Sequence, residues 1–240
     1  MSCTRSCRCL AIFLLSALLG SFAAAADAEV SVFDRVGTVG TTVTLVVRTT
    51  RFFLADGGRQ VNLSLDGERL GAIMTGGDGY GYFRLVPPRA GLLKVSARSD
   101  DNEASGWLLV MEKTDRAVLV EVESMMKEIS FRPDARDNCR MAFESLRRRY
   151  RLIFVYRFMG ADFSRNRLAA EGLAPAVVIP WKGAMTLESL RRKEVQVHAV
   201  IGSAETVTAA GTQVPHRISF EKARGAATVS EWSDIEKMLE

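Results

Sequence analysis

The sequence predicts a two-domain chain: an all-β sandwich followed by an α/β domain built on a parallel sheet. Three observations carry this reading. Between about residues 30 and 112, short alternating strands are separated by turn signals, the pattern of packed antiparallel sheets. From 116 to 240, apolar runs of strand length alternate with helical stretches, which argues for parallel strands covered on both faces. Between them Glu112-Lys113-Thr114-Asp115 is a polar break with no glycine- or proline-rich tether, so the two domains are expected to share an interface. At 240 residues and 48% hydrophobic content, the chain has enough apolar material for two packed cores.

Residues 1–26 read as a signal peptide. Arg5 and Arg8 form a basic start, Leu10 to Ala23 is almost purely apolar, and Ala24-Ala25-Ala26 offers a small-residue cleavage site, with Ala26-Asp27-Ala28 as another frame. The apolar run falls short of the roughly 20 residues a membrane span needs. The expectation is an exported protein, periplasmic or secreted, with no stable membrane span after cleavage. Removing the segment takes Cys3, Cys7 and Cys9 with it, so Cys139 is left without an internal disulfide partner. The net charge of +4 falls to +2 without Arg5 and Arg8, which is no basic footprint for nucleic acid.

Within the first domain, placed at residues 29–112, Val43, Leu45 and Val47 alternate with Thr42, Thr44 and Arg48, the period of a strand with one buried face. Val61–Leu65 repeats the pattern and meets Asp66-Gly67, a hairpin signal. Gly76-Gly77-Asp78-Gly79 turns into Tyr80–Val86, which Pro87-Pro88 closes because proline cannot extend a ladder. Leu92–Ala97 and Trp107–Met111 supply two more strands. The turns Leu65-Asp66-Gly67, Thr75-Gly76-Gly77-Asp78-Gly79-Tyr80 and Pro88-Arg89-Ala90-Gly91-Leu92 resemble those of immunoglobulin-like modules of exported bacterial proteins. That resemblance implies a sandwich without catalytic residues. Asp56, Asp66, Asp78, Asp100 and Asp101 match no calcium loop and read as solvated turn residues. The sequon Asn62-Leu63-Ser64 lies mid-strand and is discounted.

In the second domain, placed at 116–240, the expected strands are Arg116–Val122, Leu152–Tyr156, Ala176–Ile179, Val195–Ile201 and Arg217–Phe220, a five-stranded parallel sheet. A helix is expected from Asp134 to Arg149, opened by Pro133 and striped by Cys139, Ala142, Phe143 and Leu146. Cys139 on that stripe reads as a small buried hydrophobe. Thr186 is expected to cap Leu187–Arg192, and Ser230 a terminal helix with Trp232, Ile235 and Leu239 on one face.

Ligands of such sheets gather at the carboxyl ends of the strands. Those ends carry Glu121-Val122-Glu123, then Tyr156-Arg157, then Gly202-Ser203-Ala204-Glu205-Thr206-Val207, with Lys193 ahead of the fourth strand. The order resembles the four motifs of the haloacid-dehalogenase (HAD) superfamily over residues 116–240. There the pattern is Asp-x-Asp, Ser/Thr, Lys, and Gly-Asp-x-x-x-Asp. The stretch Arg167–Pro175 resembles the lipin-like phosphatidate phosphatase branch. The resemblance implies a three-layer HAD-like domain whose nucleophile and acid/base positions are Glu121 and Glu123, whose hydroxyl position is Tyr156, and whose lysine is Lys193. The magnesium aspartates fall on Ser203 and Val207, with Glu205, Glu121 and Glu123 as weak substitutes. Glutamate carries its carboxylate about 1.5 Å further than aspartate, and an error of about 1 Å can cost a hundredfold in rate. Magnesium wants carboxylate oxygens, which serine and valine lack.

The expectation is therefore a non-catalytic HAD-like protein without a cofactor, acting in binding or assembly with a protein or envelope partner. Glu121 and Glu123 are expected as solvated carboxylates, with Lys193 paired to them in place of the metal and Tyr156 and Val207 plugging the former pocket. The alternative is a weak or altered magnesium-dependent phosphatase, on phosphatidate-like or other phosphomonoesters, with Glu121 as nucleophile, Glu123 as acid/base and Lys193 as charge partner.

Overall fold

The computed structural model describes residues 29–131 and 135–239. The segment read as a signal peptide, and Pro133 and Asp134, lie outside them. The first part contains β1 (Glu29–Phe33), β2 (Arg35–Thr38), β3 (Val43–Arg51), β4 (Leu54–Ala55), β5 (Gln60–Leu65), β6 (Glu68–Met74), β7 (Tyr80–Leu85), β8 (Gly91–Ser99) and β9 (Asn102–Met111). It is all-β. One sheet joins β1, β3, β4 and β7, and the other runs β2-β9-β8-β5-β6. Their inner faces meet over Val32, Leu45, Val47, Leu63, Val95 and Leu108, which supply the apolar side of each alternating strand. The chain changes sheets between β1 and β2, and Asp34 is the single residue at that crossing.

The second part follows as β10 (Arg116–Glu121), α1 (Val122–Phe131), α2 (Ala135–Arg149), β11 (Arg151–Tyr156), α3 (Ala161–Ala170), β12 (Val178–Pro180), α4 (Ala184–Arg191), β13 (Gln196–Ile201), α5 (Ala204–Ala210), β14 (His216–Ser219), β15 (Ala227–Thr228) and α6 (Trp232–Met238). All neighbouring strands are parallel, in the order β12-β11-β10-β13-β14-β15. The sheet has six strands rather than the expected five, because Ala227–Thr228 adds to β14 through a pairing too short to leave an apolar run. The order reverses between β10 and β13, which start outward from the middle in opposite directions.

The two faces of this sheet bury different partners. Val118, Val120 and Phe154 pack with Met125, Phe143, Leu146 and Trp232 from the helices α1, α2 and α6. The opposite face packs Leu119, Ile153 and Val155 with Leu187, Leu190 and Val207, and with Val36, Leu109 and Met111 from the sandwich. The domain interface is thus part of a continuous apolar core. Two details differ from expectation at helix starts. Thr186 lies inside α4, bonding Lys182 N–H and the Pro180 carbonyl, with Gly183 at the cap position. In α6 the cap is Glu231, reciprocated by Asp234 in a capping box.

Candidate functional site

The carboxyl ends of the parallel strands bring Glu121, Glu123, Arg157, Ser203 and Glu205 together, and their bonds to one another define the site. Glu121 ends β10 and is only 2% exposed. Its Oε2 accepts from the Ser203 amide at 2.6 Å and from the Ser203 hydroxyl at 2.7 Å. Arg157 Nη1 stands 4.0 Å from Oε1. Gly202 permits this approach, since a Cβ there would sit 2.6 Å from Oε2. Glutamate's extra methylene is what lets Glu121 reach across to the loop after β13. The expected solvated carboxylate is therefore corrected: this one is buried and bonded.

Glu123, two residues on in the first turn of α1, turns to the neighbouring strand. Its Oε1 accepts from the amides of Arg157, Phe158 and Met159 at 2.8, 2.9 and 3.2 Å. One carboxylate oxygen thereby holds the loop after β11, where the chain bends just past the strand end and its amides lack ladder partners. Arg157 lies against the Phe158 ring at 4.6 Å and pairs with the exposed Glu205, which lowers the Glu205 carboxyl and raises the Arg157 guanidinium from their ordinary values. Ser203 caps α5, accepting from Thr206 N while donating to Glu121. Glu221, past the end of β14, pairs with Lys127 and reaches the Ala204 amide at 3.4 Å. Sequence reasoning passed over Glu221, whose strand-end position in a short polar loop was its signal.

Three of the expected site residues do not take their expected places. Lys193 does not meet Glu121 or Glu123. It follows α4, at the amino end of β13, and its backbone carbonyl accepts from Thr38 of the sandwich at 2.6 Å. Helix α4 returns from the carboxyl to the amino end of the sheet before Lys193 is reached, which removes it from the strand-end loops. Arg157 occupies the charge-partner position instead. Val207 is fully buried in the core shared with the sandwich, while Tyr156 packs against the opposite core, so the two do not plug one pocket. Burial raises the Tyr156 hydroxyl, with Arg165 pulling the other way.

The arrangement does not fit magnesium. Glu121 commits Oε2 to Ser203, Glu123 commits Oε1 to three amides, and Val207 has no donor atom. Among the described residues no group of three or more His, Cys, Asp and Glu side chains is placed to hold a metal ion. Among the same residues no helix is long and apolar enough to cross a membrane. Cys139 is buried on α2, its thiol pushed well up by burial.

A second constellation lies at the domain junction. Asp34 is buried, and its carboxylate accepts from Trp107 N at 2.8 Å, Val178 N at 2.7 Å and the Arg165 guanidinium at 2.8 and 3.3 Å. Both domains are thus tied to one side chain. The Phe33-Asp34-Arg35 interruption of an apolar alternation was the sequence signal for it.

No family model matches the chain, and no curated protein matches it. The resemblance of residues 116–240 to the HAD superfamily is carried by motif order alone. Among solved structures, an IG27 protein domain is similar at 18% identity, over 35% of this chain and 98% of that one, with a TM-score of 0.28. The fibronectin(III)-like modules of Clostridium thermocellum CbhA are similar at 17% identity, over 35% and 98%, with a TM-score of 0.27. The D0-D1 domain of intimin is similar at 16% identity, over 36% and 49%, with a TM-score of 0.29. These neighbours are immunoglobulin-like or fibronectin-III-like modules; the sandwich described above rests on its own strand pairings.

Proposed function

We propose that this chain is an exported, non-catalytic binding or assembly protein, in which an immunoglobulin-like sandwich is packed on a degenerate HAD-like domain. The parallel strand order and the sequence of motifs at the strand ends support the domain reading. The observation that carries the loss of chemistry is the engagement of Glu121 by the Ser203 amide and hydroxyl. Phosphoryl transfer in this kind of sheet needs a carboxylate free to attack in line and a cation to balance the charge. Here the acid at the nucleophile position is occupied in holding two loops together. The acid at the next motif position clasps a third. Carboxylate oxygens that in an active relative would face a substrate, Glu121 Oε2 and Glu123 Oε1, are taken up by structural bonds, and the strand ends present Phe158 and Glu205. Export rests on the basic and apolar pattern of residues 1–26, and the partner is expected among exported or envelope proteins.

The test is turnover of a generic aryl phosphate and of phosphatidate, with magnesium, by the wild type and Glu121→Ala. Both are expected to stay at the uncatalysed background, and millimolar magnesium is expected to leave the melting temperature unmoved. Turnover in the wild type that disappears in Glu121→Ala would overturn the reading.

A further inference from the structure

A small cavity of about 250 Å³ opens between the sandwich and the α/β domain, away from the strand-end carboxylates. Arg35 from β2 contributes one wall. Lys193, Lys182, Thr186 and Ser189, from α4 and its two ends, contribute the other. The charge there is one-sided. Asp34 also reaches the cavity, but its carboxylate is committed to Arg165 and two backbone amides. Among the described residues no carboxylate lies within ion-pair distance of Lys193, Lys182 or Arg35. Arg35 directs Nε to the Thr44 carbonyl at 3.2 Å and Nη1 to that of Asp34 at 3.4 Å, both neutral acceptors.

Cations held in a half-buried cleft without counter-charge are costly, and they persist where a ligand supplies that charge. Burial and the facing Arg35 hold Lys193 down at about 8, the direction expected of an ammonium without an anion. The Ser189 hydroxyl adds a group that can donate to an oxyanion, whereas that of Thr186 already donates to the Pro180 carbonyl.

We infer that this inter-domain cavity binds a compact dianionic oxyanion of the phosphate class, with Arg35 and Lys193 contacting it from opposite domains. A planar guanidinium matches the oxygens of a phosphate in pairs, while an ammonium supplies a point charge opposite it. The volume admits inorganic phosphate or a small phosphate monoester. Because one ligand would bridge both domains, binding would also brace the junction. The site is separate from Glu121, so turnover at the strand ends would leave it untouched.

Inorganic phosphate, titrated calorimetrically into the full chain, is the direct probe, with chloride at matched ionic strength as the control and succinate as a dianion of different shape. Phosphate is expected to bind and to raise the melting temperature, where chloride does neither. Lys193→Gln is expected to keep the fold and to weaken phosphate binding about tenfold or more, the usual scale for losing one charged contact. Arg35→Lys, which keeps the charge and loses the fork, is expected to weaken phosphate too. As pH rises through about 8, affinity is expected to fall in the wild type and to change little in Lys193→Gln, with Arg35, Lys182 and Asp34 as the other charged groups facing the cavity. No binding of phosphate by the wild type, undiminished binding by Lys193→Gln, or succinate binding as strongly as phosphate would each overturn the assignment.

Discussion

Phe52 and Phe53 form the two-residue turn between β3 and β4, with φ of 51° and 66°. Both central residues of such a turn need positive φ, a region where bulky side chains are strained and an asparagine-glycine pair is preferred. Phe53 is nevertheless 93% exposed, so its ring recovers almost no burial to offset that strain. The double substitution Phe52→Asn with Phe53→Gly, which supplies the preferred turn chemistry, is expected to stabilise the protein by about 1–2 kcal/mol. The denaturant midpoint measures this; an unchanged or lower midpoint would mean that the two rings contribute packing that their exposure does not reveal. Leu54 continues the exposed apolar tip, so the same double variant removes most of an unusually apolar hairpin end.

At the scale of elements, the strand-end loops are held by carboxylates rather than by apolar contacts. The segment Arg157–Met159 joins β11 to α3, and its three amides share Glu123 Oε1. Glu123→Ala is expected to cost about 2–3 kcal/mol, since charged hydrogen bonds are worth more than neutral ones and three donors are left without their acceptor. Hydrogen exchange at those amides should accelerate with little change in the strands beneath. Retained protection would show that a neighbouring protein acceptor replaces the clasp. The helices follow simpler rules: α2 buries Cys139, Phe143 and Leu146 at helical spacing and ends on Arg147, Arg148 and Arg149, where the helix dipole favours cations.

For the molecule as a whole, Asp34 and Arg165 tie the sandwich to the α/β domain inside a shared core. Burial raises the Asp34 carboxyl above its ordinary value near 3.8, against the pull of Arg165 and of the Trp107 and Val178 amides. Arg165→Met would leave that carboxylate buried without its counter-charge, at a cost of about 3–5 kcal/mol. The sign of the pH dependence follows from the raised value. A carboxyl that holds its proton more tightly when folded favours the folded state at low pH, and that advantage is lost as pH rises through its folded value. The Arg165→Met deficit is therefore expected to be largest near neutral pH and to shrink as pH falls toward about 4. Parallel stability curves for wild type and variant, measured by urea denaturation across that range, would contradict it.

Much of the fold was legible because period and turn chemistry are local. The alternation of Val43, Leu45 and Val47, the Asp66-Gly67 hairpin and the apolar runs Ala117–Val120 and Leu152–Val155 each declare a strand from a few neighbouring residues. The polar break at 112–115 likewise predicted a tight junction. The site was legible only as a set of strand ends. Sequence order placed Glu121, Glu123, Arg157 and Ser203 at one edge of the sheet, but it does not state which side chains meet. That depends on reach: one methylene lets Glu121 cross to Ser203, and the length of α4 carries Lys193 to the other end of the sheet. The two-residue strand β15 and the role of Asp34 were hidden for the same reason. Their partners lie in distant segments: a two-residue pairing leaves no periodic trace, and the break at Phe33-Asp34-Arg35 marks Asp34 without naming what it meets. Local chemistry determined the elements of this protein, and the tertiary packing decided which charges neutralise one another and which two, Arg35 and Lys193, face a cavity with no ion-pair partner among the described residues.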